Sequence, residues 1–281
     1  FRKRFRCGSF RCLRFCRNNP YEYVRTGGVQ TLRNLLLTIS YKGTNYHGFQ
    51  VQKNAVTVAE TLQDAMQVLF KGERPDIKGC SRTDAGVHAN MFCVSFKTES
   101  EMDCDHIRRS LDALLPDDIA ATDCEEVSEN FHARYSCKGK RYVYKIWNAP
   151  YMSPFWQGLA LHYPKPIDEN YLDAVCTDFI GTYDFSAFCG SNGDQEDFTR
   201  TIFDCQVERE GDLVTFSVTG DGFLYNMVRI MVGTLLEVNE GKIEADEILD
   251  IIESKDRTKA GRTAKAEGLY LDYVLYDEED D

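Results

Sequence analysis

Four residues in this 281-residue chain could do nucleophilic, electrostatic or base-recognising chemistry, and each sits in a short recognisable stretch. Asp84 lies in GCSRTDAGVHAN, residues 79–90, with Arg82 and His88 beside it. A carboxylate has an ordinary pKa of about 4, and a nearby guanidinium favours its charged form further. Asp84-Ala85-Gly86 also has the composition of an ordinary turn, and a lone histidine beside a strand is as readily a packed ring as a base. Arg229 lies in FLYNMVRIMVGTLLEV, residues 223–238, where Leu224, Met227, Val228, Met231, Val232, Leu235 and Leu236 share a wide apolar helical face. Ile230 falls nearly opposite them, so such a helix is covered on most sides. Asn226, Arg229 and Gly233 recur at spacings of three and four, which makes a narrow polar stripe. On a solvent face the stripe needs no explanation. Facing a cleft, a poorly solvated Arg229 needs an anionic partner, and Asp84 is the candidate.

Tyr142 and Tyr144 share one face of a strand in Lys140-Arg-Tyr-Val-Tyr144. Aromatics flanked by cations suit stacking on an unpaired base with phosphates alongside; cross-strand packing in a sheet uses the same residues. Leu269, in Gly268-Leu-Tyr-Leu271, reads as the start of a buried strand or as the apolar wall of a base pocket. The phosphate-binding P-loop, the dinucleotide glycine fingerprint and the Gly-x-Ser-x-Gly nucleophile elbow do not occur.

The elements that must position these residues follow from periodicity. Leu35–Tyr41 predicts a buried strand, followed by the glycine-containing loop KGTNYHGFQVQKN. Thr57-Val-Ala-Glu60 predicts a capped helix with Val58, Leu62, Ala65 and Leu69 on one face. Strands are expected around 76–81 and 91–97, a helix over about 103–115 and a strand over 119–127. That order is β-α-β-β-α-β. The second half repeats it loosely: strands over 141–147 and 157–163, a helix over 168–180, a hairpin turning at Glu210-Gly211, helices over 224–238 and 245–253, and a closing strand over 269–276. Two similar halves would leave a long cleft between them.

With 43% apolar residues the chain can bury a substantial core, and no apolar run approaches the roughly 20 residues of a membrane helix. Eleven cysteines without a C-x-x-C spacing, and five scattered histidines, argue against a metal site and for reduced, packed thiols. The net charge of −12 hides an asymmetry. Residues 1–28 carry eight Lys/Arg against Glu22 alone, so the rest has 25 basic and 44 acidic residues. Residues 1–28 lack an apolar core and do not read as a secretory signal; the expectation is a basic extension outside the fold, and Cys7, Cys12 and Cys16 have no nearby fourth metal ligand. An acidic body with a local basic groove remains compatible with RNA, because only the local field must attract phosphate.

Taken in order, YKGTNYHGFQVQ, SRTDAGVHA, FHARYSCKGKRYVYKI, TRTIFDC, FLYNMVRIMVG and AKAEGLYL resemble the tRNA pseudouridine synthase A (TruA-type) family, from about Leu35 to Tyr276. The resemblance implies an α+β fold of two ferredoxin-like (β-α-β-β-α-β) halves, 29–136 and 137–281, with antiparallel sheets side by side around a central RNA-binding cleft. It implies a cytoplasmic homodimer, not bound to a membrane, that takes the anticodon arm of tRNA and isomerises uridines 38, 39 and 40. In it Asp84 is the nucleophile, Arg229 the active-site arginine, Tyr142 the base-contacting tyrosine, and Leu269 a wall of the base pocket. Arg82 would meet RNA or organise its loop. The reaction is redox-neutral and implies no cofactor and no metal. Asp84 could attack C1′, attack C6 or abstract a ribose proton, and Tyr142 could stack on the base or help remove the C5 proton. Phe49 and Val51 depart from the Trp and Arg common in the family. A tRNA chaperone without catalysis and a carboxylate-nucleophile hydrolase are the competing classes. The second would want another carboxylate about 5–5.5 Å from the first, and none emerges beside these motifs.

Overall fold

The computed structural model describes residues 32–191 and 196–277; the basic extension over 1–28, with its three cysteines, lies outside them. The first half comprises β1 (Arg33–Tyr41), α1 (Val58–Leu69), β2 (Lys78–Gly79), β3 (His88–Thr98), α2 (Cys104–Leu114) and β4 (Ile119–Val127). The second comprises β5 (Gly139–Trp147), β6 (Leu161–His162), α3 (Glu169–Cys176), β7 (Gly181–Asp184), β8 (Thr199–Glu210), β9 (Leu213–Gly220), α4 (Met227–Asn239), α5 (Glu247–Ser254) and β10 (Leu269–Leu275). None of these helices is long and apolar enough to cross a membrane.

Local chemistry accounts for most boundaries. Thr57 Oγ1 accepts the Glu60 N–H at 3.3 Å and opens α1, and the carboxylates of Asp103 and Asp168 cap α2 and α3 in the same way. β1 is apolar along nearly its whole length because it is paired on both edges, to β3 and to β4, and buried on both faces. The β8–β9 hairpin turns at Gly211, whose φ of 59° a residue with a side chain rarely adopts.

The two halves share one sheet. Its strand order is β4-β1-β3-β10-β5-β9-β8-β7, with β2 also on β3 and β6 also on β5. Two antiparallel sheets side by side were expected. Instead β10 is hydrogen-bonded on both edges, parallel to β3 through Tyr270 and Leu271 and antiparallel to β5 from Leu269 to Leu275. Leu269, Leu271, Val274 and Leu275 are buried, as a strand at the middle of a covered sheet requires.

Two predicted strands shrink to two residues each. Over 76–81 the ladder to β3 ends when the Cys80 N–H bonds Cys93 O, and the chain then leaves the sheet. Over 157–163, Gly158 takes a φ of 70° and the Leu159 and Ala160 N–H groups both turn back to Trp156 O, leaving only Leu161–His162 extended. The third helix becomes a 3-10 turn after Cys176. The fourth begins at Met227 rather than Leu224 because Asn226 sits at φ 60°, in the left-handed region.

Helix α4 is buried almost all round, Ile230 included. Its polar stripe divides between two tasks. Asn226 lines a cavity and Arg229 reaches Asp84 at its wall, whereas Gly233 meets the backbone of a strap, residues 261–265, that crosses the helix. A Cβ on Gly233 would overlap the Arg262 carbonyl. The strap is pinned by Gly261 N–H to Thr234 Oγ1 at 2.9 Å, Ala264 N–H to Arg229 O at 3.0 Å, and Tyr144 Oη to Lys265 O at 2.7 Å. Gly233→Ala should therefore displace the strap and cost about 1–3 kcal/mol. Urea unfolding should show a lower midpoint with an unchanged slope; a midpoint equal to wild type would refute this account of the glycine.

Candidate active site

The loop between β2 and β3 presents Asp84, and a second loop braces it. Asp84 O accepts the Val87 N–H at 3.1 Å, closing a turn in which Gly86 has a φ of 80°. The Gly86 N–H bonds Tyr46 O at 3.1 Å, and the Phe49 N–H bonds Thr83 O at 3.2 Å. That bracing needs backbone against backbone, which explains the glycines of KGTNYHGFQ: a Cβ on Gly43 would overlap Val87 O, and one on Gly48 would overlap Thr83 O. Beneath them Thr83 and Tyr41 share a hydroxyl hydrogen bond of 2.8 Å.

Arg229 reaches the carboxylate from the first turn of α4, with Nη1 3.1 Å from Asp84 Oδ2. The same Nη1 donates to Asn226 Oδ1 at 2.7 Å, and Nε donates to Ala264 O at 2.7 Å. The guanidinium is thus held on three sides. The left-handed backbone of Asn226, which asparagine tolerates better than most residues, turns its amide toward Arg229 rather than into a helix cap. Asp84 Oδ1 makes no hydrogen bond among the described residues. The two side chains are 26% and 18% exposed, so the pair is sheltered but reachable.

The electrostatic balance differs from the expectation that a nearby guanidinium favours the charged form of Asp84 further. Burial pushes the Asp84 pKa above its ordinary value, and the charge and hydrogen bond of Arg229 only partly offset that rise. A partly desolvated carboxylate is a better nucleophile than a hydrated one, and Arg229 limits how far protonation competes.

Asp84 opens into a cavity of about 340 Å³, where it is the only carboxylate among the lining residues. Tyr142 and Leu269 line it, as do Phe223 and Leu224. The Tyr142 hydroxyl hydrogen-bonds the Ser81 hydroxyl at 3.1 Å, and its ring meets Phe223 edge-on with centroids 5.1 Å apart. Burial raises the Tyr142 pKa well above that of an exposed tyrosine. The phenol is therefore protonated at neutral pH, and in the free protein it offers a ring wall rather than a phenolate base for a C5 proton. Tyr144, on the same strand face, is fully buried and serves the strap instead.

The cavity also gathers three cations: Arg82, Arg134 and Lys140. Their side chains make no hydrogen bond or ion pair among the described residues, although the chain as a whole is acidic. Arg82 is exposed and leaves Asp84 to Arg229. Arg134 escapes the sequence reading, because nothing along FHARYSC marks that cation as unpaired. Asn226, placed on the polar stripe, gains a definite task as the acceptor for Arg229.

His88 proves to be a packed ring. Its Nδ1 accepts the Gly43 N–H at 3.0 Å, so the proton sits on Nε2, which lies 3.2 Å from Glu267 O. Burial lowers its pKa to about 4, with Lys42 and Lys145 adding to the effect, and it stays neutral. Phe49 is buried and stacks on Phe92 at 4.2 Å, a core role; Val51 is exposed.

Comparison with known proteins places this geometry in context. A family model described as tRNA pseudouridine synthase matches residues 37–136 and 175–277. The tRNA pseudouridine synthase A of Acetivibrio thermocellus is 49% identical over 245 residues, covering 87% of this chain and 100% of that protein. Those of Ruminiclostridium cellulolyticum and Clostridium acetobutylicum are 45% and 42% identical, again over 87% of this chain and 100% of theirs.

A carboxyl-carbon NMR titration should place Asp84 above exposed aspartates, and Arg229→Gln should move it higher still. Because the folded pKa exceeds the unfolded one, the bound proton favours the fold. That contribution is full below the unfolded pKa and is lost as pH rises through the folded pKa. Arg229→Gln should accordingly lose stability more steeply than wild type as pH rises. An unmoved Asp84 midpoint in the variant would show that Arg229 does not set its charge.

Proposed function

The chain belongs to the tRNA pseudouridine synthase family, and from that membership we propose that it isomerises uridines 38, 39 and 40 of the tRNA anticodon stem-loop with Asp84 as the nucleophile. The family activity, uridine to pseudouridine in tRNA, is that of an isomerase. In that reaction N1–C1′ breaks, the base turns, C5–C1′ forms, C5 gives up a proton and N1 gains one, so no electrons are exchanged with an outside group.

The observation that carries the reading is the asymmetric carboxylate. Asp84 is tied through Oδ2 to Arg229 and has Oδ1 available, in a cavity whose other charged lining residues are cations. Whether the carboxylate meets C1′, C6 or the ribose proton, it must be aimed, ionised and poor in water. The braced loop aims it, Arg229 favours its charge, and the apolar walls limit hydrolysis of the loosened glycosidic intermediate. Tyr142 and Leu269 would form the walls against the flipped base, and Arg82 with Arg134 and Lys140 would meet the flanking phosphates. A volume of about 340 Å³ lies within the range of about 300–1,000 Å³ usual for small-ligand pockets.

The finer expectations rest on the same premise. The strand order β4-β1-β3-β2, with antiparallel pairing, supports reading 29–136 as a ferredoxin-like half; 137–281 would be its counterpart, completing the cleft for the anticodon arm. The homodimer follows from the family resemblance. A cytoplasmic location is supported by free thiols at all eight described cysteines.

Tritium release from tRNA labelled at uracil C5 tests the activity, and carbodiimide-blocked primer extension maps the positions. Asp84→Asn should lower release more than about 10⁴-fold while tRNA affinity stays near wild type. Normal turnover by that variant would remove Asp84 from the chemistry. Binding without release by the wild-type protein would mark a tRNA chaperone.

A further inference from the structure

Next to the cavity, residues 131–136 form a turn seated on Ala133. This residue is fully buried; its N–H donates to Ser95 Oγ at 3.0 Å and its carbonyl accepts from Tyr276 Oη at 2.7 Å. The turn closes on itself through Ser136 N–H to His132 O at 2.9 Å, His132 N–H to Ser136 Oγ at 3.2 Å, and Arg134 N–H to His132 Nδ1 at 3.1 Å. On this seat Arg134 lines the cavity, while Tyr135 stands 78% exposed against the His132 ring, with centroids 4.3 Å apart.

A single exposed tyrosine is ordinary. This one is unusual in three respects that act together. The turn that carries it is fixed from below at two polar atoms of Ala133, two residues before it, so less entropy remains to be lost when the ring is engaged. One flank is already supported by the His132 imidazole, whose pKa is lowered by burial and by the nearby charges of Lys78 and Arg134, so it stays neutral and Nδ1 remains an acceptor. Its immediate neighbour is one of the three unpaired cations at the cavity. An exposed aromatic beside a cation, held rigid at the edge of a base-sized cavity, has the chemistry of single-stranded nucleic-acid binding.

We propose that Tyr135 is a stacking platform for one unpaired nucleobase adjacent to the uridine in the cavity, with Arg134 on the phosphate between them. The platform holds the flanking base outside the cavity while the target base enters. This rests on the proposed function, and deepens it by assigning a subsite for a second nucleotide.

The test is binding rather than turnover. Full-length tRNA and anticodon stem-loop RNAs, each with one nucleotide flanking the target made abasic, are titrated against wild type, Tyr135→Ala, Tyr135→Phe and Tyr135→Trp by fluorescence anisotropy. Tyr135→Ala should weaken Kd about tenfold on intact RNA, Tyr135→Phe and Tyr135→Trp should bind like wild type, and the penalty should vanish on one abasic RNA alone. An unchanged Kd for Tyr135→Ala, or a penalty undiminished on every abasic RNA, would overturn the platform. Tritium release is measured in parallel: Kd values that follow the expected pattern without release support the platform and count against the isomerase reading, so the two failures are distinguishable.

Discussion

The structure depends on one contact, the 3.1 Å pair between Arg229 Nη1 and Asp84 Oδ2. Neither ion is fully solvated, and each would be costly without the other. Almost every local peculiarity of the surrounding chain serves to bring them together. The glycines at 43 and 48 let one loop brace another, the left-handed Asn226 turns an amide onto the guanidinium, and the strap over Gly233 delivers the Ala264 carbonyl to Nε. The pair is therefore better described as the meeting point of three backbone segments than as two side chains in contact.

The arrangement divides polarity between the two carboxylate oxygens. Three acceptors share Arg229, and only one of them is a charge, so the cation is satisfied largely by neutral groups. A guanidinium neutralised by a bidentate carboxylate would occupy both oxygens and leave none for substrate. Holding it with an amide and a carbonyl leaves one face of Asp84 available. The burial that raises the Asp84 pKa is the counterpart of that freedom, since the same shelter that dehydrates the carboxylate also favours its proton.

Much of this was legible in the residues. A largely covered helix with a single cation wants a distant anion if that cation faces a cleft, and that conditional reasoning led to Asp84 across two halves of the chain. Strand and helix positions followed periodicity closely where periods were long, as in Ile119–Val127 and in α1 with its Thr57 cap. What escaped has physical causes. Gly233 looks like part of a polar stripe because a glycine that admits a backbone cannot be told from one on a polar surface. The short strand at 78–79 stops where the chain leaves the sheet after Cys80, and the one at 161–162 starts late because a local turn at Gly158 precedes it; neither bound falls where the residue pattern changes. The Asp84 shift depends on competition between desolvation and a charge, which requires geometry. Arg134 gains its meaning from the absence of a neighbour, and absence is not visible along a chain. The single mixed sheet is a matter of pairing choice, which apolar alternation does not encode.

That pairing has a consequence for how the protein comes into being. β10 follows every other described strand and helix, yet it occupies the middle of the sheet between β3 and β5. During synthesis the first segments to emerge can pair among themselves, but β3 and β5 keep open edges until β10 arrives to fill the gap. Only then does Leu269 reach the cavity and the Ala264 carbonyl reach Arg229. A partly made chain already carries Asp84 but has no wall beside it and no anchor for Arg229. The candidate site is thus withheld until β10 has been made, and the unfilled slot is a place where a ribosome-bound chain exposes two strand edges to chaperones or to neighbouring chains.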